Sequence, residues 1–443
     1  MKLDELKKHK KILILGYGVE GKAAEAFLKK HCPDITIGVA DKKDGDDYLE
    51  KQHDYDLAIK SPGIHPKLVT IPYTTGTNIF FANYSGKTIG VTGTKGKSTT
   101  ATLIYEIMQK AGGNVSLGGN IGRAALDILD NFLDQKESGL KKDEWVVLEL
   151  SSFQLQDVIM SPHIAVMLMT GSEHLDYHVD VSEYVDAKRN ILRFQKSDDF
   201  AILNRDYPAS NESEVYTDAK VFYISRERET DDGCYAFGDK IWVHRGGKAE
   251  EIMKIADIRL LGKHNRENVC AAVMATTLAG VKKDEIAAVV KEFGGLEHRL
   301  EYVGEAYGVR FYNDSLSTIP DAAIEGIDAF DDQVETLIAG GYDRGLDYTF
   351  LGEFLAKSSV KTLILFPPSS ERIWEAVVQA GGESKKKRID VTTMSQAVFF
   401  ASEETTSGKV CLLSPAAASF GTFRDYKDRG EQFRDEVKKL GVA

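Results

Sequence analysis

The stretch Val-Thr-Gly-Thr-Lys-Gly-Lys-Ser-Thr-Thr, residues 91–100, holds the residue types that grip a phosphate chain. The usual phosphate-binding loop is Gly, four residues, then Gly-Lys-Ser/Thr. Here Gly96-Lys97-Ser98 fits the end of that pattern, but Val91 stands where its first glycine belongs. The glycine falls instead at Gly93, giving a shorter Gly-x-x-Gly-Lys-Ser. The flanks still suit the chemistry. Residues 87–91 read as a short apolar strand, and after Ser98 a helical period puts Leu103, Ile104, Ile107 and Met108 on one face. A strand, a glycine loop and a helix N-terminus aim backbone N–H groups and the positive dipole end at an anion. In this reading Gly93, Thr94, Lys95, Gly96 and Thr99 cradle a nucleoside triphosphate. Lys97 reaches its β- and γ-phosphates, and the Ser98 hydroxyl sits on Mg²⁺.

Further groups suited to that ion follow. Glu149 ends the strand Trp-Val-Val-Leu-Glu, at the carboxyl edge where α/β ligand sites form. Glu173, His174 and Asp176 come at the next strand's end, and Lys188 lies on the following helix. A phosphate loop, an acid and a histidine meeting at one sheet edge would hold Mg²⁺ and a triphosphate. Taken singly, His174 reads as structural and Lys188 as a surface helix lysine.

A second glycine cluster, Gly16-Tyr-Gly18-Val-Glu-Gly21, follows the first strand and opens a helix, with Asp41 twenty residues on where a ribose-binding acid would sit. Two ligands suit it: a redox dinucleotide, or a nucleotide-linked substrate whose diphosphate rests on the helix end. Ser61-Pro62-Gly63 could add contacts from the same rim.

The elements that position these residues alternate strand and helix almost throughout, the pattern of parallel α/β domains. The 443 residues suggest about three domains, with boundaries at 1–84, 85–296 and 297–443. Expected strands are 11–15, 35–39 and 56–60 in the first. The second has 87–91, 145–150, 164–169 and 200–203, then a β-rich stretch over 219–258 and a helical stretch over 264–293. The third has 309–312, 336–339, 361–366 and 409–413. Gly294-Gly295 reads as a hinge and Lys385–Arg388 as a solvated loop. A net charge of −12 argues against a general nucleic-acid or anionic-membrane binder. Four scattered cysteines without a C-x-x-C pair point to reduced thiols in a cytosol. No apolar run approaches the ~20 residues that span a bilayer, and the apolar run at 12–15 is too short for a secretory signal. The expected protein is cytoplasmic.

With these residues in hand, the chain resembles the Mur ligase family. The shortened loop looks like that superfamily's own. Gly118-Gly119-Asn120-Ile121-Gly122, Glu149-Leu150-Ser151-Ser152-Phe153-Gln154 and Glu173-His174-Leu175-Asp176 are similar to family motifs. So are Gly262-Lys263-His264-Asn265 with Asn268, His298-Arg299, Asn313-Asp314-Ser315 and Leu413-Ser414-Pro415-Ala416. They run in family order through the whole chain. The resemblance implies a Rossmann-like N-terminal domain, a central mononucleotide-binding fold with the phosphate loop, and a Rossmann-like C-terminal domain. It implies ATP-dependent ligation of glutamate to UDP-N-acetylmuramoyl-L-alanine through an acyl phosphate, by a monomer. Lys97, Ser98, Glu149 and His174 would serve the triphosphate and two Mg²⁺. Lys188 would be carbamylated by CO₂ and act as an anionic metal ligand. Asn265, Asn268, Arg299 and Asp314 would contact ATP. Gly18, Val19, Glu20, Asp41, Ser61, Asn120 and Ser151 would hold the UDP-linked substrate.

The glutamate pocket departs from the family. Thr318, Ser419, Phe420 and Tyr426 match it, but Leu316 stands where many members have lysine, and Arg344 replaces a second lysine. Arg344 can still bind a carboxylate bidentately. D-glutamate is favoured as the commoner activity; an L-glutamate ligase, or another Mur or folylpolyglutamate-type ligase, is the alternative.

Overall fold

The computed structural model describes residues 1–137, 145–171 and 178–441. Their contacts form two units: residues 1–258 with 264–292, and residues 259–263 with 293–443. The later division falls beside the expected hinge, where Gly295 takes φ +101°.

The first unit holds two sheets. The smaller is parallel, in the order Thr36–Ala40, Lys11–Leu15, Leu57–Lys60, Tyr73–Thr74. The larger has nine strands. Its parallel part runs Lys220–Ser225, Phe200–Asn204, Ile164–Met167, Lys87–Thr92, Trp145–Glu149, Val115–Gly119. Gly233–Phe237 extends it, and Lys240–Arg245 and Lys248–Lys254 add an antiparallel edge in the region expected to be β-rich. Lys87–Thr92 lies between strands that come later in the chain on both sides, so the order reverses at its carboxyl end. That is where α/β sheets leave a crevice for ligands, and the phosphate loop follows directly. The helix Lys97–Lys110 buries Leu103, Ile104, Ile107 and Met108 as its period predicts. One apolar cluster joins both sheets: Ile12, Phe27 and Phe80 from the first belong with Leu126, Val146 and Met167 from the second. The stretch 264–293 is two helices, His264–Leu278 and Lys283–Glu292, parted by Gly280 at φ +91°.

The second unit is a six-stranded sheet in the order Glu301–Ala306, Val309–Asn313, Val410–Leu413, Val334–Gly340, Thr362–Phe366, Lys387–Asp390. The first pair is an antiparallel hairpin and the rest are parallel. The expected solvated loop at 385–388 needs correction, because Lys387–Asp390 is the edge strand. Lys386 Nζ donates to Ser358 O at 2.9 Å and Val360 O at 2.6 Å, while Arg388 pairs with Glu371 and Asp390. Charged side chains suit an edge strand, where they discourage pairing with another chain; a basic run alone does not separate edge from loop.

Candidate active site

The phosphate loop is shaped by two glycines that no other residue replaces easily. Gly93 has φ +153° and Gly96, which begins the helix, φ +85°. A Cβ on Gly96 would lie 2.2 Å from Asn268 Oδ1. Asn268 thus stands against the loop, and its Nδ2 donates to Asn265 Oδ1 at 2.8 Å. Thr94 is tied from three sides: its N–H donates to Met169 O at 2.7 Å, its hydroxyl meets Tyr184 Oη at 3.1 Å, and it accepts from Gly171 N at 2.9 Å. Lys95 is exposed, Ser98 half-buried and Thr99 buried.

Three charged side chains gather at this point. Lys97 Nζ donates to Gly93 O at 3.0 Å and Thr94 O at 2.9 Å. Lys188, 1% exposed, also donates to Gly93 O, at 2.9 Å, and lies 4.5 Å from the centre of the Tyr184 ring. It is a core residue and no surface lysine. Parallel pairing sets Glu149 opposite Val91. Glu149 is 1% exposed; its Oε1 accepts from Asn120 Nδ2 at 2.9 Å, while Oε2 is buried with no hydrogen-bond partner among the described residues. A buried carboxylate oxygen without a donor is costly unless a cation meets it. A carboxylate oxygen of this kind is a hard donor that suits Mg²⁺. Glu173, His174 and Asp176 lie outside the described residues.

Around the first glycine cluster, Gly18 begins the helix Val19–His31 and Val19 is 72% exposed. Asp41 accepts from Tyr17 N at 2.6 Å and Lys43 N at 3.2 Å, and these backbone donors hold its carboxyl below the usual range. Ser61 Oγ donates to Gly16 O at 2.7 Å. Both side chains thus brace the glycine loop. Glu20 accepts from Gln154 Nε2 at 2.6 Å, and burial raises its pKa. Ser151 caps the short helix Ser152–Leu155 reciprocally with Gln154.

In the second unit, Asp314 is 2% exposed. It accepts from Ser414 Oγ at 2.8 Å and Leu300 N at 3.2 Å, and burial pushes its pKa up to about 6 despite the nearby Arg299. The glutamate candidates Thr318, Arg344, Ser419 and Phe420 come from loops after the strands ending at Asn313, Gly340 and Leu413, and Tyr426 opens the helix Tyr426–Lys439. Arg344 lies 5.5 Å from the Phe420 ring centre, and Tyr342 packs edge-on to Phe420 at 6.2 Å. Thr318 is half-buried, Ser419 buried, and the Tyr426 ring lies 6.0 Å from that of His298. Leu316 is 39% exposed.

Three supporting residues had no sequence signal. Arg429 is 0% exposed, with Nε donating to Ser315 Oγ at 3.0 Å, Nη2 to Ser315 O at 2.8 Å and Nη1 to Ala417 O at 3.1 Å. Burial lowers its pKa to about 9. In the sequence it is one more charge on a polar C-terminal helix. Lys60 and Asp157 form a buried pair at 2.8 Å; their spacing of nearly a hundred residues gave no hint of it.

Fold and site together define an ATP-dependent ligase that forms amide bonds. The sequence model of the Mur ligase middle domain matches residues 91–276. A UDP-N-acetylmuramoylalanine–D-glutamate ligase of Acetivibrio thermocellus is 35% identical, over 99% of each chain. One of Symbiobacterium thermophilum is 38% identical, over 89% of this chain and 87% of that one. The chain belongs to the Mur ligase family. The fold also matches a solved UDP-N-acetylmuramoylalanyl-D-glutamyl-2,6-diaminopimelate–D-alanyl-D-alanyl ligase from Acinetobacter baumannii, with a TM-score of 0.62 and 14% identity, covering 98% and 97% of the two chains.

Proposed function

We propose that this chain joins D-glutamate to UDP-N-acetylmuramoyl-L-alanine at the expense of ATP, a step in making peptidoglycan precursors. The observation that carries the reading is the group of Lys97, Lys188 and Glu149 at the Gly93 turn. A carboxylate oxygen of the muramoyl substrate attacks the γ-phosphorus, and ADP leaves. The glutamate amine then attacks the resulting acyl carbon, phosphate departs, and the amine loses a proton to give the amide. Lys97 and the loop N–H groups hold the transferring phosphate, and Arg299 offsets its charge. When bound, two Mg²⁺ ions would neutralise the triphosphate, with Ser98, Glu149, His174 and Lys188 as its carbamate to hold them. Asn265, Asn268 and Asp314 are assigned to ATP. The rim of Gly18, Val19, Glu20, Asp41 and Ser61, with Asn120 and Ser151, takes the UDP-linked substrate and never a nicotinamide.

Arg344, backed by Phe420, reads a glutamate carboxylate, with Thr318, Ser419 and Tyr426 around it. The domains are 1–84, 85–296 and 297–443, in a cytoplasmic monomer; among the described residues no helix is long and apolar enough to cross a membrane. Incubation with ATP, Mg²⁺, the muramoyl nucleotide and D-glutamate should yield a product heavier by one glutamyl residue, and Lys97→Ala should yield none. No such product from the unaltered protein would overturn the reading.

A further inference from the structure

In the first unit, the end of the strand Leu57–Lys60 and the connection after the helix Ser152–Leu155 are joined by a charge pair with buried side chains. Lys60, at the end of its strand, is 0% exposed, and Asp157 has 5% side-chain exposure. Besides the ion pair, Lys60 Nζ donates to Ile64 O at 2.8 Å and Ser61 O at 3.4 Å, closing the 61–64 loop over itself. Ser61 continues the chain to Gly16 O at 2.7 Å. On the other side, Asp157 Oδ1 accepts from Tyr73 Oη at 2.9 Å, and its carbonyl accepts from Asn78 Nδ2 at 2.7 Å. Asn78 Oδ1 accepts from Ile159 N at 3.1 Å. Asp157 follows the short helix that Ser151 caps, just after Glu149.

Adhesion between the two sheets is already supplied by a continuous apolar cluster. A buried ion pair adds little to stability over a well-packed apolar pair; the direction here comes from the hydrogen bonds around it, Lys60 Nζ to Ile64 O and Ser61 O on one side and Tyr73 Oη and Asn78 Nδ2 to Asp157 on the other. We propose that Lys60–Asp157 is a positioning pair for the nucleotide-linked substrate. It holds the glycine-loop rim, through Ser61, in fixed register with the Glu149–Ser151 stretch. The proposal rests on the function above, since it assigns one end of a single substrate to each side of the pair. Neither residue is catalytic; both act through the loops they hold.

The test compares Lys60→Met, Asp157→Asn and the double variant with the unaltered protein, measuring KM for UDP-N-acetylmuramoyl-L-alanine, KM for ATP and thermal melting. Each single change leaves a buried charge alone and should lower the melting temperature. The double change removes both charges and should recover most of that loss. Its KM for the muramoyl nucleotide should still rise about tenfold, with KM for ATP within about twofold of the original, because displaced contacts weaken one substrate only. Tyr73→Phe removes one hydroxyl donor at the exposed end of this network; it should keep the fold and raise the same KM about threefold. An unchanged KM in the double variant, or in Tyr73→Phe if the double variant does not fold, overturns the proposal. Inactivity of the unaltered protein would instead strike at the ligase assignment.

Discussion

Lys97 and Lys188, ninety-one positions apart, donate to the same carbonyl oxygen, that of Gly93, at 3.0 and 2.9 Å. The same loop follows the strand residue Val91, whose parallel partner is Glu149, a carboxylate with one buried oxygen that has no hydrogen-bond partner among the described residues. If Lys188 becomes a carbamate, the site gains an anion and Lys97 is freed for the phosphates.

Lys188→Ala should therefore lower ligation by about 10²–10³-fold, with partial rescue by a small added carboxylate, measured as phosphate release. Lys188→Arg should not rescue, since a guanidinium forms no carbamate. Full activity in either variant would remove the carbamate from the account.

Gly96→Ala places a side chain at φ +85° and 2.2 Å from Asn268 Oδ1. The left-handed backbone alone costs about 1–2 kcal/mol. The variant should melt lower, and ATP should stabilise it much less than it stabilises the unaltered protein. Equal stabilisation by ATP would show that the loop tolerates the change.

Burial raises the Asp314 pKa from 3.8 to about 6. The folded state thus holds this proton more tightly than the unfolded chain does. The resulting stability is fully present below about pH 4 and is lost as pH rises through about 6, a change of roughly 3 kcal/mol. Asp314→Asn stays neutral and should escape that loss. Denaturant unfolding between pH 4 and pH 8 should show the variant gaining on the original; parallel profiles would contradict this.

Arg429→Met leaves Ser315 O and Ala417 O without their buried donor. Loss of about 3 kcal/mol is expected, together with a raised KM for glutamate, because the Ser315 and Ala417 loops border Thr318 and Ser419. Denaturant unfolding and amino-acid titration check the two halves separately. An unaltered KM would make Arg429 purely structural.

Much of this architecture was legible from period and punctuation. The apolar face of 97–110 and the strands at 87–91 and 200–203 stand almost where their patterns put them. Val115–Gly119 is hidden in the sequence because two glycines and a serine break the apolar pattern of a strand that lies at the sheet edge, paired with Trp145–Glu149. The phosphate loop and Glu149 could be read because local spacing creates them. Lys60–Asp157 and Arg429 could not, because a buried charge has the same letter as a solvated one and only tertiary packing tells them apart. Lys188 sits between these cases, bland by itself and telling once its neighbours are known.

The most direct test is phosphate release with ATP, Mg²⁺ and UDP-N-acetylmuramoyl-L-alanine, comparing D-glutamate, L-glutamate and no amino acid. Sustained release is expected with D-glutamate alone, lost when the muramoyl nucleotide is omitted. Release with L-glutamate alone would contradict the assigned hand and point to Leu316; release with neither would contradict the ligase itself.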